Sequence, residues 1–182
     1  LTDANHPAQS AVHTDSTAEN QLPSIAHYIR KILLASDNDA YNRLYEFLGQ
    51  DYIQQKLQEK GFHQTRILHR LGVSMSTEEN RYTNPIRFVD QQRIIYRQEG
   101  RKAIGTFPQS PVLLGKAYYQ NDTLIRQPMD FSHKNRFSLT DQHTLMKALF
   151  FPEQVPATTR FSLTTDDYQF LYQYMSQLPI ET

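Results

Sequence analysis

Two amphipathic patterns separated by only a few polar residues constrain the fold of this chain more than any other feature. The first pattern begins after Pro23, which suits the first turn of a helix, and the second ends at Gly49, which suits the position just past one. Between the two patterns, residues 36–39 are Ser-Asp-Asn-Asp, and these residue types prefer helix caps and turns. The apolar residues recur at three- and four-residue spacing as Ile25, Tyr28, Ile29, Ile32 and Leu33, then as Ala40, Leu44, Tyr45, Phe47 and Leu48. The sequence therefore predicts two consecutive helices joined by a short turn.

The rest of the chain predicts a mixture of helices and strands. We expect a third helix from Asp51 to Lys60, a loop over 62–87, and two helices that begin near Thr140 and near Thr164. Strands are predicted at Arg93–Arg97 and Val112–Tyr119, with a hairpin through residues 118–125. The fold class is α+β and predominantly helical, in one compact domain. Its parts are an extended segment over 1–22, a helical region over 23–85, a hairpin-rich insertion over 86–135 and C-terminal helices over 136–182.

Composition excludes several classes of function. The 182 residues carry 19 Lys and Arg against 19 Asp and Glu, so the clustered positive charge of a nucleic-acid surface is not expected. No apolar run approaches the roughly 18 residues that a membrane span needs. Cysteine is absent, which removes disulfides, thiolate metal sites and cysteine nucleophiles.

The seven histidines do not form a metal-binding pattern. His63 and His69 are six residues apart, and His133 and His143 are ten apart, whereas a helical metal site uses a spacing of four. Glycine-rich phosphate loops are absent as well. We therefore expect no metal and no cofactor.

The tripeptide Ser36-Asp37-Asn38 is the strongest candidate for chemistry, although an ordinary helix-to-helix turn uses the same residues for capping. Residues 32–42, Ile-Leu-Leu-Ala-Ser-Asp-Asn-Asp-Ala-Tyr-Asn, resemble the Ser-Asp-Asn element of class A beta-lactamases and penicillin-binding proteins. In that family the element joins two helices of a helical subdomain. The resemblance implies that Ser36 relays a proton, that Asn38 contacts the substrate carbonyl and a neighbouring lysine, and that Asp37 fixes the turn.

The resemblance extends downstream into the predicted loop. Residues 65–71 resemble the start of the family's omega loop, and residues 81–85 resemble its exit. Class A enzymes carry the glutamate that activates the deacylating water between these points, and by this register its position falls on Leu71. Glu78 and Glu79 come later, so the resemblance does not assign the role to them.

Two further motifs of the family do not occur in these residues. No Ser-x-x-Lys nucleophile motif and no Lys-Thr-Gly or Lys-Ser-Gly motif is found. The resemblance therefore implies an internal piece of a longer, exported (periplasmic) serine hydrolase, which forms an acyl-enzyme with a small-molecule or peptide-like substrate. We expect the piece alone to be inactive and to self-associate through an apolar face near Ser36. The alternatives are a non-catalytic helical binding or structural module and an inactive hydrolase relative.

Overall fold

The computed structural model describes residues 1–6, 10–91, 93–106 and 111–178. The architecture is α+β with more helix than strand, as the sequence predicts. Parts of three of the four predicted regions, at 7–9, 92, 107–110 and 179–182, lie outside the described residues. The helices are α1 (Ile25–Ala35), α2 (Asn38–Leu48), α3 (Gln50–Glu59), α4 (Leu139–Phe150) and α5 (Thr165–Ser176). The strands are β1 (Ile86–Asp90), β2 (Arg93–Gln98), β3 (Leu113–Leu114), β4 (Tyr118–Gln120), β5 (Thr123–Ile125) and β6 (Met129–Asp130).

The three predicted N-terminal helices are confirmed, and local capping explains their limits. The side chain of Ser24 accepts a hydrogen bond from the amide of His27 (3.1 Å) and so begins α1. Helix α2 packs on α1. Ala40 of α2 is fully buried, and the hydroxyl of the buried Tyr45 donates to the carbonyls of Leu68 (2.9 Å) and Asn80 (2.8 Å) in the loop. Gly49 ends α2 with φ of +73°, a left-handed conformation that glycine adopts without strain.

The strands form three small antiparallel pairs, β1 with β2, β3 with β6, and β4 with β5. The predicted hairpin is confirmed, and its turn places Asn121 and Asp122 at positive φ, as two-residue hairpin turns require. Two predictions are wrong. Residues 86 and 87, predicted as the end of the loop, instead begin strand β1, which pairs with β2, and the strand predicted over 112–119 is interrupted at Gly115, where φ is +75°.

The N-terminal segment is docked against the first sheet. Thr2 is buried and pairs with both Val12 and Ile86. The α-amino group of Leu1 donates to the carbonyl of Arg87 (2.8 Å). This segment therefore extends the β1–β2 sheet and covers one side of the helical hairpin.

The two C-terminal helices are also confirmed. Thr164 and Asp167 form a capping box that begins α5. Helix α5 packs on α1, and its Tyr172 ring stacks on Phe150 of α4 at 5.2 Å between centroids. In the part of the chain that the structure describes, no helix has the length and apolarity needed to cross a bilayer.

Candidate functional site

The Ser-Asp-Asn tripeptide forms the whole connection between α1 and α2. Ser36 follows the last residue of α1 in the left-handed conformation (φ 52°, ψ 41°), and its amide donates to the carbonyl of Ile32 (3.1 Å). Asp37 precedes α2 in an extended conformation, and Asn38 is the first residue of that helix. The backbone therefore reverses direction within two residues and places the three side chains at the junction of both helices.

Asp37 is held by the helix that it begins and by a cation from α1. Its Oδ1 accepts a hydrogen bond from the amide of Ala40 (2.9 Å), and its Oδ2 lies 3.3 Å from Nζ of Lys31. The amide of Ala40, followed by Lys31, holds the pKa of Asp37 below its usual value. Asp37 is thus the N-cap of α2 and is ionised at neutral pH.

Ser36 and Asn38, by contrast, present polar groups to solvent. Both residues are exposed, and neither side chain has a hydrogen-bond partner among residues 1–6, 10–91, 93–106 and 111–178. A hydroxyl and an amide in this state can donate to or accept from a bound molecule without first breaking an internal hydrogen bond.

Asn38 lies directly beside the loop that follows the predicted omega-loop start. A β-carbon at Gly72 would lie 3.0 Å from Nδ2 of Asn38 and 3.5 Å from its Cβ. Gly72 also has φ of +67°, a conformation that favours glycine. The structure therefore brings Asn38 and position 72 together, next to Leu71. It records no contact between Ser36 and this loop within the described residues.

Helix α2 holds Leu71 through its backbone. The side chain of Asn42 donates to the carbonyl of Leu71 (2.9 Å) and accepts from the amide of the same residue (2.8 Å). Asn42 is buried, whereas the Leu71 side chain is half-buried. The two hydrogen bonds fix the position at which the loop lies along α2, one helical turn after Asn38.

A buried ion pair ties the two ends of the loop to α2. Nε and Nη2 of Arg70 donate to the Oε1 of Glu46 (3.1 and 2.9 Å), and both side chains are about 3% exposed. The other carboxylate oxygen accepts from Nδ2 of Asn84 (3.0 Å), which is fully buried. Arg70 additionally donates to the carbonyl of Tyr82 (2.8 Å). Residues 65–71 and 81–85 are therefore connected through Glu46.

Asn135 clamps the same loop from the opposite end of the sequence. Its Oδ1 accepts from the amides of Leu68 (2.6 Å) and His69 (3.0 Å), and its Nδ2 donates to the carbonyl of His69 (2.9 Å). Nδ2 also lies 3.2 Å from the hydroxyl of Tyr41, whose pKa burial raises to about 12. This hydroxyl therefore stays protonated and is not a base at neutral pH.

Glu78 and Glu79 are engaged away from Asn38. Oε2 of Glu79 accepts from the amide and hydroxyl of Ser76 (2.7 Å each), and Glu78 forms an ion pair with Lys102. The hydrogen bond from Lys102 lowers the pKa of Glu78, and the hydrogen bonds from Ser76 lower the pKa of Glu79. Both carboxylates are therefore ionised and already hydrogen-bonded at neutral pH.

A polar cavity of about 400 Å³ lies beside the loop, and Leu71, Gly72, Ser74, His133 and Lys134 are among the residues that line it. Gly72, one of these lining residues, also lies close to Asn38. The described part of the chain contains no group of three or more His, Asp or Glu residues that could hold a metal ion.

Sequence reasoning found the turn but missed the residues that hold the loop against it. Asn42 and Glu46 follow the tripeptide by one and two helical turns, so their position on α2 could have drawn attention to them. Asn135 lies 66 residues beyond its partner His69, and no local pattern connects the two.

Comparison with known protein families finds a match over the N-terminal part of the chain. The model of the beta-lactamase enzyme family matches residues 2–106, which is more than half of the chain. This range includes the Ser-Asp-Asn turn, the whole loop and the first sheet, and it extends beyond the 23–85 region that carries the sequence resemblance. No curated protein and no solved structure matches the chain.

Proposed function

The chain belongs to the beta-lactamase enzyme family, and we propose that it supplies Ser36 and Asn38 to the active site of a serine hydrolase with acyl-enzyme chemistry. The substrate is a small acyl compound, with a beta-lactam, peptide or ester bond as the reacting group. The observation that carries the proposal is a pair of exposed side chains that have no hydrogen-bond partner in the described part of the chain, on a turn that other residues already hold.

Asn38 is proposed to bind the substrate carbonyl. Its exposed amide lies at the start of α2, close to Gly72, and has no hydrogen-bond partner among the residues that the structure describes. Asp37, not Asn38, is the cap of α2, so the asparagine amide is not needed to begin the helix. This division of roles supports a ligand contact for Asn38.

Ser36 is proposed to relay a proton to the leaving group. A hydroxyl can accept a proton while it donates its own, and the leaving nitrogen of an amide must be protonated before it departs. The left-handed backbone at Ser36 presents the side chain outward from the end of α1, which supports this role.

The nucleophile is proposed to lie on polypeptide outside these 182 residues, because they contain no Ser-x-x-Lys motif. By the resemblance, the complete hydrolase is periplasmic or otherwise exported. At the loop, Leu71 offers no base for the deacylating water, and Glu78 and Glu79 are bound elsewhere. We therefore propose an enzyme that acylates readily and deacylates slowly.

The test is covalent labelling of the complete gene product by a fluorescent penicillin. We expect labelling of the complete protein, no labelling of the 182-residue chain alone, and reduced labelling after Asn38→Ala. Gln142→Ala is the matched control, because it removes an exposed amide from the surface of α4.

Two results would oppose the proposal. Labelling of the isolated chain would show that the nucleophile lies within it. A complete protein that folds but takes up no label would favour an inactive relative or a binding module, in which the tripeptide serves only as a turn.

A further inference from the structure

A second cavity lies beside the Ser-Asp-Asn turn, and Asp37 is among the residues that line it. Its volume is about 610 Å³, within the usual range for small-molecule sites. It is bounded by the C-terminal halves of α1 and α5 and by the N-terminal segment at Thr17. The lining residues used below are Arg30, Lys31, Leu34, Gln173 and Tyr174.

The positive charge of Arg30 is not balanced within the described part of the chain. Lys31, its neighbour in sequence, lies between two carboxylates, at 3.7 Å from Asp15 and 3.3 Å from Asp37. Arg30 has no acidic partner there. Its Nη2 donates to Nδ1 of His27 (3.1 Å), so this imidazole nitrogen carries no proton and adds no negative charge.

Several polar groups around the cavity have no internal partner. Nη1 of Arg30, the hydroxyl of Tyr174 and the side-chain amide of Gln173 make no hydrogen bond with any residue that the structure describes. The guanidinium lies over the Tyr174 ring, 5.7 Å from its centroid, which fixes the plane of the donors. Nε of Arg30 is also buried without a hydrogen-bond partner in the described part of the chain, so unsatisfied donors on α1 and α5 line the same cavity.

The remaining wall has an apolar part, beside the polar residues Thr17 and Asp37, and the Asp37 carboxylate is already paired with the Ala40 amide and Lys31. Leu34 and Ala35 border the cavity from α1, and the Tyr174 ring borders it from α5. A guanidinium pairs well with a planar carboxylate, and an apolar wall favours a hydrocarbon body next to it. We propose that this cavity binds a small organic carboxylate, with the carboxylate at Arg30 and Tyr174 and an apolar body against Leu34. The proposal does not depend on the hydrolase function.

The test is titration of the isotope-labelled chain, followed by NMR, with benzoate, benzamide and acetate. We expect benzoate to shift the backbone amide signals of Ala35 and Gln173 until they saturate. Benzamide has the same shape without the charge and should bind at least about tenfold more weakly. Acetate, which lacks the apolar body, should also bind more weakly than benzoate.

Single-residue variants distinguish the loss of a ligand contact from the loss of folding. Arg30→Gln should weaken benzoate binding about tenfold or more, whereas Arg126→Gln, which removes an exposed arginine far along the sequence, should leave it unchanged. Tyr174→Phe keeps the ring over the guanidinium and removes only the hydroxyl, so it should fold and bind a few-fold more weakly. If Arg30→Gln does not fold, the affinity of Tyr174→Phe for benzoate tests the proposal instead.

Three outcomes would overturn the proposal. The first is a benzoate titration whose shifts do not saturate, or whose shifts occur at residues away from the cavity. The second is benzamide binding as tight as benzoate binding. The third is an unchanged affinity for benzoate in both Arg30→Gln and Tyr174→Phe. If acetate binds as tightly as benzoate, the part of the proposal that places an apolar body against Leu34 is wrong.

Discussion

Asn42 and Leu71 are joined by two hydrogen bonds that run in opposite directions. The asparagine amide donates to the carbonyl of Leu71 over 2.9 Å, and the Leu71 amide donates back to the asparagine oxygen over 2.8 Å. A single side chain on α2 therefore satisfies both backbone groups of the loop residue that stands at the predicted base position. The loop is held by its backbone at this point, and the Leu71 side chain takes no part in the attachment.

Asn42→Ala should accordingly be costly for the whole domain. It leaves both backbone groups of Leu71 without their partner, and Asn42 itself is buried. We expect a loss of about 2–3 kcal/mol in the free energy of unfolding, measured by urea denaturation. The exposed Gln142→Ala should change it by less than about 0.5 kcal/mol. A similarly small effect of Asn42→Ala would contradict the attachment.

The two neighbours Asp37 and Asn38 should differ sharply in stability effects. Asp37 caps α2, so Asp37→Ala should lower the free energy of unfolding by about 1 kcal/mol. Asn38 makes no internal hydrogen bond in the described structure, so Asn38→Ala should change it by less than about 0.5 kcal/mol. Thermal and urea unfolding of both variants checks the contrast. Equal losses would mean that Asn38 also supports the turn.

Acid should weaken the domain partly through Asp37. The Ala40 amide and Lys31 lower its pKa in the folded state below the value of the unfolded chain, so the folded state binds this proton less readily. The resulting stability is present above the pKa of Asp37 in the unfolded chain and is lost as the pH falls through its pKa in the folded state.

The variant Asp37→Asn tests this contribution, because it keeps a capping oxygen but cannot titrate. We expect a smaller loss of unfolding free energy in this variant than in the unmodified chain between pH about 6 and about 3. Equal losses would assign the acid sensitivity to other carboxylates, such as Asp15.

Deacylation of the complete hydrolase should be slow, because leucine at position 71 cannot take a proton from water. A positioned base is typically worth about 10²–10⁴ in rate, so a burst should precede a slow steady state. Intact-mass spectrometry after brief exposure to a penicillin should show a persistent adduct. Leu71→Glu should shorten its lifetime, since the backbone attachment to Asn42 does not depend on the side chain.

The same experiment has a control for the later carboxylates. Replacement of Glu78 and Glu79 by Gln should leave the adduct lifetime unchanged, because their interactions with Lys102 and Ser76 hold them elsewhere. Rapid clearance of the adduct in this double variant would refute the role assigned to Leu71.

How far the sequence predicts this structure depends on how local each interaction is. The helices follow from spacing and caps within a few residues, as at Ser24 and Thr164, and all five are found. Strand β1 escaped prediction because Arg87 and Asp90 dilute its apolar pattern, and its identity depends on pairing with β2.

The candidate site likewise has one part that local sequence predicts and one part that it does not. The turn at Ser36 and Asp37 is fixed by caps that the sequence reveals, whereas the loop is placed by partners far away in the chain. Arg70 meets Glu46 across 24 residues, and Asn135 meets His69 across 66. Such pairs carry no periodic signal, so one sequence alone cannot indicate them.

The contact between Gly72 and Asn38 also bears on how such a site could change by mutation. A single nucleotide change converts some glycine codons to aspartate or glutamate codons, but any side chain at position 72 would crowd the Asn38 amide and strain a backbone at φ of +67°. Leu71 is held through its backbone by Asn42, so a change of its side chain would leave those hydrogen bonds in place. Every leucine codon, however, needs more than one nucleotide change to encode an acidic residue. The position that a single nucleotide change can convert to a carboxylate is therefore the one at which the structure crowds a side chain.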